Sequence, residues 1–237
     1  MLGGQAYMAR TRSVHYLEHQ TLILDTAARL FAAQGFARTS IAALARACNC
    51  SKALLYHYYA SKEAILYALL CTHLERLHAM TMQALTTSDD PEAQFRALVH
   101  ASMTVYTESQ DKHIVLINDL HCLPAEQGDE IRRLERHLTS LVADLLTRIN
   151  PAIAQVPHLR MPYTMMFYGL LNWTYLWYDA QGPIGPDAFA YCATELFLHG
   201  FKSLHVLEDK SERRLEDVVQ QTDRIRASDI RQAVLEG

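Results

Sequence analysis

The sequence predicts an all-α protein with a small N-terminal head and a larger helical body. No stretch alternates apolar and polar residues between Asn-Gly or Asp-Gly turns, which is the pattern of a β-hairpin. Apolar residues instead recur at three- and four-residue steps, and the seven prolines of the 237-residue chain lie at segment ends. Half of the residues are hydrophobic and 20% are charged, so the chain can bury a substantial core.

A supporting helix and two short helices are predicted for the head. The first ends at Gly35, a residue that tolerates the left-handed backbone of a helix C-terminus. Thr39 or Ser40 caps the second helix, and the third follows a break at Asn49. Ser61 then caps a long helix that leaves the head.

The body is predicted to continue with five further helices. They are expected near residues 91–108, 113–121, 125–149, 160–179 and 186–207. The predicted domains are therefore a head at 1–66, a body at 67–207 and a charged tail at 208–237.

Charge is distributed unevenly along the chain. The first 60 residues carry +4 and the remaining 177 carry −8, although the whole chain carries only −4. A basic head on an acidic body suits a protein whose head approaches a polyanion. The five cysteines are odd in number and the N-terminus lacks a secretory pattern, so we expect a cytoplasmic protein.

The two short helices of the head, with a supporting helix before them, form a predicted helix-turn-helix. Its turn needs a residue with positive φ, and Asn49 is the least costly substitute for glycine there. In such a motif the start of the second helix meets base edges in the major groove, and polar neighbours contact phosphates. The predicted DNA-binding residues are Ser51, Lys52, Ala53 and Leu54 at the bases, and Arg38, Thr39, Ser40, Tyr56, His57 and Lys62 at the phosphates.

Residues 1–20 form a polar lead that contains Arg10 and Arg12. Two interpretations remain open for it. The segment is either an arm that enters a minor groove or a frayed terminus.

Residues 35–66, GFARTSIAALARACNCSKALLYHYYASKEAIL, resemble the DNA-binding head of the TetR/AcrR family of bacterial transcriptional regulators. The matching positions are Gly35-Phe36, Ser40-Ile41, Leu44-Ala45, Ser51-Lys52, Leu55-Tyr56, Tyr58 and Ser61-Lys62-Glu63. The resemblance implies a repressor that binds a palindromic operator in double-stranded DNA as a homodimer and is released by a small molecule. It also implies that Tyr56 and Lys62 contact phosphates and that the last two helices form the dimer interface.

Residues 161–178, MPYTMMFYGLLNWTYLWY, carry no charge and form two apolar stripes on a predicted helix. One stripe is predicted to line a cavity in its own subunit, and the other is predicted to face a second copy. The predicted ligand-binding residues are Met82, Met103, Arg132, Arg133, Arg136, Met166, Leu170, Trp173 and Trp177. The predicted dimerisation residues are Tyr168, Leu171, Tyr175, Phe189, Ala193, Leu196, Gly200 and Leu204.

Residues 169–183, GLLNWTYLWYDAQGP, more loosely resemble a stretch of TetR-family members that respond to acyl-CoA thioesters. The resemblance implies an acyl-CoA effector, with the tryptophans against its acyl group and the arginines against its phosphates. A multidrug or other hydrophobic-ligand-sensing repressor of the same fold is the alternative. The arginines also fit a solvated helix face, and the aromatic residues also fit a body or dimer core.

An enzyme and a helical interaction protein are more remote alternatives. In INDLHC, His121 and Cys122 point about 100° apart on a helix, so the histidine is badly placed to deprotonate the thiol. His73 and His78 are five residues apart, which does not give the shared helix face that chelation favours. Pro162 and Asn172 disfavour a membrane span in residues 161–178. We therefore expect no catalysis, metal, cofactor or membrane contact.

Overall fold

A computed structural model describes the backbone of residues 3–202 and the side chains of residues 16–202. These residues are mostly helical and contain no strand, which confirms the all-α prediction. The head consists of α1 (Gly3–Gln34), α2 (Ile41–Ala47), α3 (Lys52–Tyr58) and the start of α4 (Lys62–Leu85). The body adds α5 (Pro91–Glu108), α6 (Gln110–Asp119), α7 (Ala125–Ile149), α8 (Pro157–Asn172) and α9 (Pro186–Lys202). Short 3₁₀ helices cover Leu120–Cys122, Pro151–Gln155 and Trp173–Leu176.

Side-chain caps define where the head helices begin. Ser40, Ser51 and Ser61 each accept a hydrogen bond at 3.1 Å from the backbone N–H three residues further on. Asp90 caps α5 in the same way, with Pro91 at the first helical position. Each cap contributes about 1 kcal/mol of stability. The predicted caps at Ser40 and Ser61 are confirmed.

The N-terminal lead is helical rather than frayed. The backbone of α1 is helical from Gly3 onward, which contradicts the frayed terminus, and entry of the lead into a minor groove stays a prediction. Residues 5–34 contain no proline or glycine that would interrupt a helix, which accounts for the continuity. The side chains of Arg10 and Arg12 lie outside the described residues.

The predicted helix at 160–179 ends early. The α-helix stops at Asn172, because the buried hydroxyl of Thr174 donates to the Leu171 carbonyl at 2.6 Å and the chain tightens into a 3₁₀ turn. The structure also starts α6 at Gln110 rather than at residue 113. Among the described helices, none has the length and apolarity that a bilayer span requires.

One hydrophobic core runs from the head into the body along α4. Leu66 and Leu69 of α4 are fully buried in it. In the body, aromatic rings of α5, α8 and α9 stack in sequence: Phe95 lies 5.1 Å from Phe167 and 5.4 Å from Phe197 between ring centroids. Because α4 crosses residue 66 without a break, the head and the body share one rigid helix.

Candidate functional site

The turn between α2 and α3 depends on Asn49, whose φ is 51°. Its N–H donates to the Arg46 carbonyl at 3.1 Å, and the Cys50 N–H donates to the Ala45 carbonyl at 2.9 Å. These two bonds satisfy the last carbonyls of α2 and form a Schellman motif. The predicted positive φ at Asn49 is confirmed, and the turn determines how α3 leaves α2.

Helix α3 has one exposed and one buried face. Ser51, Lys52, Ala53, Tyr56 and His57 are exposed, and Leu54 is half-buried. Leu55, on the opposite side, is fully buried in the head core. The exposed face therefore offers an ammonium group, hydroxyl groups and a methyl group together, which is the mixture that base edges and phosphates require. Its contacts with DNA remain predictions.

The residues before α2 only partly match the predicted phosphate contacts. The prediction is wrong for Thr39, because its buried hydroxyl donates to the Gly35 carbonyl at 3.0 Å and accepts from Gln34 Nε2 at 3.0 Å. Ser40 is exposed, although its oxygen caps α2. Arg38 is also exposed, and its Nε donates to the Gln34 carbonyl at 2.5 Å.

Lys62 has a structural role that the sequence analysis missed. Its Nζ donates to the Phe36 carbonyl at 2.8 Å and to the Thr39 carbonyl at 3.0 Å, and it lies 4.1 Å from the centroid of the Phe36 ring. An ammonium group has three N–H donors, and two are used here, so one remains for a phosphate and the predicted phosphate contact of Lys62 stays a prediction. The position of Lys62 in the sequence could have indicated this role. A cation in the first turn of a helix is unfavourable to the helix dipole, so it needs a compensating partner.

The other tyrosines near α3 pack the head rather than face outward. The Tyr58 ring lies 4.8 Å from the Tyr16 ring of α1 and 5.5 Å from the His57 ring. Burial, and then the neighbouring Tyr16, raises the pKa of Tyr59 to about 12. These rings hold α3 against α1, which leaves Tyr56 as the exposed tyrosine of α3.

The two apolar stripes of residues 161–178 face the opposite way from the prediction. Met166, Trp173 and Trp177 were predicted to line an internal cavity, but they are 62%, 63% and 58% exposed. Leu171 was predicted to face a second copy, but it is 1% exposed and lies in the core of its own subunit. Tyr168 is half-buried against the core, and burial, as the largest effect, raises its pKa to about 12. Both stripes are apolar, and periodicity therefore could not identify the inner one.

The remaining predicted body residues divide by burial. Met82 is exposed, Met103 is buried and Leu170 is half-buried. The prediction of a dimer contact is wrong for Ala193, which is buried inside the subunit beside the core. Leu196 and Gly200 are exposed, Tyr175 and Phe189 are half-buried, and Leu204 lies outside the described residues.

The predicted CoA-binding arginines lie on the outside of α7. Arg133 and Arg136 are exposed. Arg132 forms an ion pair with Asp129 at 2.6 Å, one turn away on the same helix. This arrangement matches the solvated-face alternative, in which each exposed pair contributes little to stability.

A polar cavity of about 40 Å³ lies where α5, α6 and the 3₁₀ helix after α8 meet. Its lining includes Tyr106, Gln110, His113, Thr174, Tyr175 and Tyr178. The Tyr106 hydroxyl donates to Asn172 Oδ1 at 2.9 Å, and the Tyr106 ring stacks on the His113 ring with centroids 3.9 Å apart. The cavity is therefore walled by oriented rings and hydrogen-bonding groups.

Two histidines connect this cavity to α4. His73 Nε2 and His113 Nδ1 are 3.3 Å apart, and the side chains are 1% and 3% exposed. Burial lowers the pKa of His73 to about 3 and that of His113 to about 4, so both rings are neutral at pH 7. The spacing of His73 from His78 bears only on metal chelation and does not reveal this buried pair. His73 lies on the apolar stripe of α4 together with Leu66, Leu69 and Leu77, and this position indicates a buried histidine.

Comparisons with known proteins match both parts of the chain. Residues 23–69 match the family described as bacterial regulatory proteins, tetR family, and residues 88–201 match the family described as Tetracyclin repressor-like, C-terminal domain. The crystal structure of a TetR-family transcriptional regulator from Bordetella parapertussis 12822 is 40% identical and covers 76% of this chain and 93% of that chain, with a TM-score of 0.74.

Two further comparisons are more distant. The structure of AibR in complex with isovaleryl coenzyme A and operator DNA is 22% identical, covers 75% of this chain and 97% of that chain, and has a TM-score of 0.65. At this identity it supports the fold. The uncharacterized HTH-type transcriptional regulator YuxN of Bacillus subtilis strain 168 is 34% identical over 79 residues, which are 33% of this chain and 27% of YuxN. The matched region thus spans about a quarter of that curated relative.

The role of Lys62 is testable by removing its charge. We expect Lys62→Met to lower the free energy of unfolding by roughly 1–3 kcal/mol, because two carbonyls lose a charged hydrogen-bond donor. Urea unfolding of the full-length protein at a fixed protein concentration measures the change. The exposed Lys52→Met is the matched control and is expected to stay within about 0.5 kcal/mol of the unsubstituted protein. Equal stability of the two variants would contradict the structural role.

Proposed function

Because the chain belongs to the TetR family of bacterial transcriptional regulators, we propose that it is a ligand-responsive repressor that binds a palindromic operator as a homodimer. This family consists of DNA-binding regulators rather than enzymes. The observation that carries the proposal is the exposed face of α3, held in place by the turn at Asn49 and by Lys62. Since bacterial DNA lies in the cytoplasm, the protein acts there.

In the proposed DNA complex, α3 lies in the major groove. Lys52 donates to guanine O6 and N7, and Ala53 with Leu54 contacts a thymine methyl group. Tyr56 and His57 donate to phosphates on one side of the groove. Arg38 and Ser40, exposed before α2, reach the backbone on the other side.

An exposed apolar surface supports the homodimer. This outer apolar face consists of Met161, Met165, Met166, Trp173, Leu176, Trp177, Ile184, Tyr191 and Leu196, all exposed side chains on α8, α9 and the segment between them. Trp177, in the segment after α8, contacts Phe189 of α9, with ring centroids 5.6 Å apart, so this segment packs against the start of α9. Large exposed apolar patches of this kind typically mark interfaces, and a second copy would cover it. Trp173 and Trp177 thereby move from the predicted ligand site to the proposed interface.

The effector that we propose is an acyl-CoA thioester. The loose resemblance of residues 169–183 supports it, and so does the fold shared with AibR, a protein whose structure contains isovaleryl coenzyme A. With both tryptophans on the outside, the polar cavity is the proposed location of the thioester end. An uncharged hydrophobic effector is the second candidate, because the described residues that line the cavity include no charged side chain.

Effector and operator oppose each other in the proposed mechanism. The effector binds preferentially to a conformation in which the two heads are wrongly spaced for the operator, so each ligand weakens the other. Helix α4 is a direct connection, because it carries Lys62 in the head and His73 beside the cavity. An ion pair of 2.7 Å between Asp25 of α1 and Lys112 of α6 is a second connection.

DNA binding tests the proposal first. A palindromic duplex selected from a random library is expected to bind tightly in fluorescence anisotropy, with affinity falling steeply as salt rises because phosphate contacts release counterions. Lys52→Ala is expected to weaken binding on the order of tenfold or more, because it removes a contact to guanine. Arg133→Ala, equally exposed but on α7, is the control and should keep full affinity. Failure to select any duplex would reject the proposal.

A thioester series tests the effector. We expect one member of a series such as acetyl-, isovaleryl-, octanoyl- and phenylacetyl-CoA to release the labelled duplex, because its acyl group fits the body. Free CoA is the control, since it keeps the phosphates but lacks the thioester. If no member of the series releases the duplex, the proposal of a repressor is retained. The acyl-CoA assignment is then rejected in favour of an uncharged hydrophobic effector.

Charge introduced into the outer apolar face tests the dimer. Trp173→Glu combined with Leu196→Glu is expected to yield monomers in sedimentation equilibrium, because two carboxylates would have to be buried against their copies. Binding to the palindrome should weaken in parallel. Ile117→Glu is the matched control, since Ile117 is 41% exposed on α6 and lies outside this face. A double variant that remained dimeric would place the interface elsewhere.

A further inference from the structure

The His73–His113 pair, of which His113 lines the polar cavity, has two buried nitrogen atoms that lack a hydrogen bond within the described part of the molecule. They are His73 Nδ1 and His113 Nε2, the outer nitrogens of the His73–His113 pair. The Asn172 side chain lies close enough to His113 to raise its pKa against the effect of burial, but it does not form a hydrogen bond of good geometry with Nε2. Leaving a buried polar atom unpaired is destabilising, so proteins keep such atoms mainly where something else completes them.

The pair can offer either kind of hydrogen bond to a ligand. A neutral imidazole has one donor nitrogen and one acceptor nitrogen. If His73 donates to His113 Nδ1, then His113 Nε2 carries a proton and is a free donor. If His113 donates instead, its Nε2 is a free acceptor. The cavity can therefore bind either a carbonyl oxygen or an N–H or O–H group. Which of these groups binds determines the tautomer of His113 and, through it, that of His73 on α4.

The residues around the cavity favour an uncharged ligand group. Within the described residues, the side chains that line the cavity are aromatic, hydroxyl, amide, imidazole or methyl groups. Lys112 and Arg76, whose charges act on His73, are engaged elsewhere: Lys112 pairs with Asp25 at 2.7 Å, and Arg76 donates to Ser109 Oγ at 2.7 Å and pairs with Glu108. A carboxylate or phosphate placed here would lose its hydration without gaining a counter-charge.

We infer that His113 Nε2 binds an uncharged hydrogen-bonding group of the effector, such as the carbonyl of an amide, ketone, ester or thioester. This inference rests on the proposed function, and it assigns the chemical class that the site recognises. A cavity of about 40 Å³ holds one such group, since a single water needs about 10–15 Å³. The rest of the effector lies toward residues 173–180, where Tyr175 and Tyr178 form the opposite wall and offer ring surfaces.

Benzamide and benzoate are suitable probes, because they have the same shape and differ in charge. The full-length protein, labelled with ¹⁵N in its histidines, is titrated with each while long-range ¹H–¹⁵N spectra report the protonation of every ring nitrogen. We expect benzamide to shift the His113 Nε2 signal saturably and to drive the His73–His113 pair into one tautomer. Benzoate is expected to leave both residues unchanged. An equal response to benzoate, or no response to benzamide, overturns the inference.

Substitutions at His113 assign the signals and test the contact. His113→Leu is expected to weaken benzamide binding by about tenfold, the loss of one hydrogen bond, whereas His113→Gln keeps a donor and an acceptor and should bind almost normally. His78→Leu is the matched control, because the His78 and His137 rings also lie 5.5 Å apart but outside the cavity lining. Equal affinity of His113→Leu and the unsubstituted protein contradicts the contact. The titration of the unsubstituted protein decides the matter even if this variant does not fold.

Operator binding by the same samples separates this inference from the proposed function. Salt-dependent DNA binding without a benzamide response overturns the inference about His113 and is consistent with the proposed DNA-binding function. A benzamide response without DNA binding supports the ligand site and rejects the repressor.

Discussion

The ammonium group of Lys62 holds the connection between α1 and α2 to the start of α4. It bonds the carbonyls of Phe36 and Thr39, which belong to the connection between α1 and α2, from the first residue of α4. Helix α4 continues through the body core as far as Leu85. The orientation of α3 depends on this contact, because α2 packs on α1 and α3 packs on α2. A shift of α4 along or about its axis is therefore transmitted to the exposed face of α3 through two hydrogen bonds and the surrounding core.

Local chemistry made most of the fold predictable from the sequence, including the candidate DNA-binding face. Ser40, Asn49 and Ser61 act within three or four residues of their own positions, so a cap or a positive φ can be inferred from the neighbouring sequence. Lys62 acts across 23 and 26 residues, and no local pattern indicates that its partners are carbonyls. The Thr39 hydroxyl bonds a carbonyl only four residues away, but the neighbouring sequence does not indicate that this hydroxyl is buried.

The body was harder to predict because apolarity does not distinguish a core from an interface. Residues 161–178 are apolar on all sides, so the spacing revealed two stripes without indicating which one faced inward. The structure decides by burial: Leu171 and Phe167 fill the core, and Met166 and Trp173 remain outside. The His73–His113 pair was also hard to predict. In the sequence pattern a buried neutral histidine occupies the same position as an apolar core residue, and only the structure shows that its outer nitrogen has no hydrogen bond.

The 3₁₀ turn after α8 has a consequence for how such a regulator can evolve. Residues three apart align on a 3₁₀ helix, and here Trp173 and Leu176 point outward together while Thr174 is buried and Tyr175 lines the cavity. In the proposed dimer, a single turn of backbone thus supports the wall of the ligand site and the contact between subunits. A substitution that reshapes the ligand site by moving this turn must also alter subunit packing, so changes of ligand preference in this lineage should be accompanied by compensating substitutions on the opposite side of the turn.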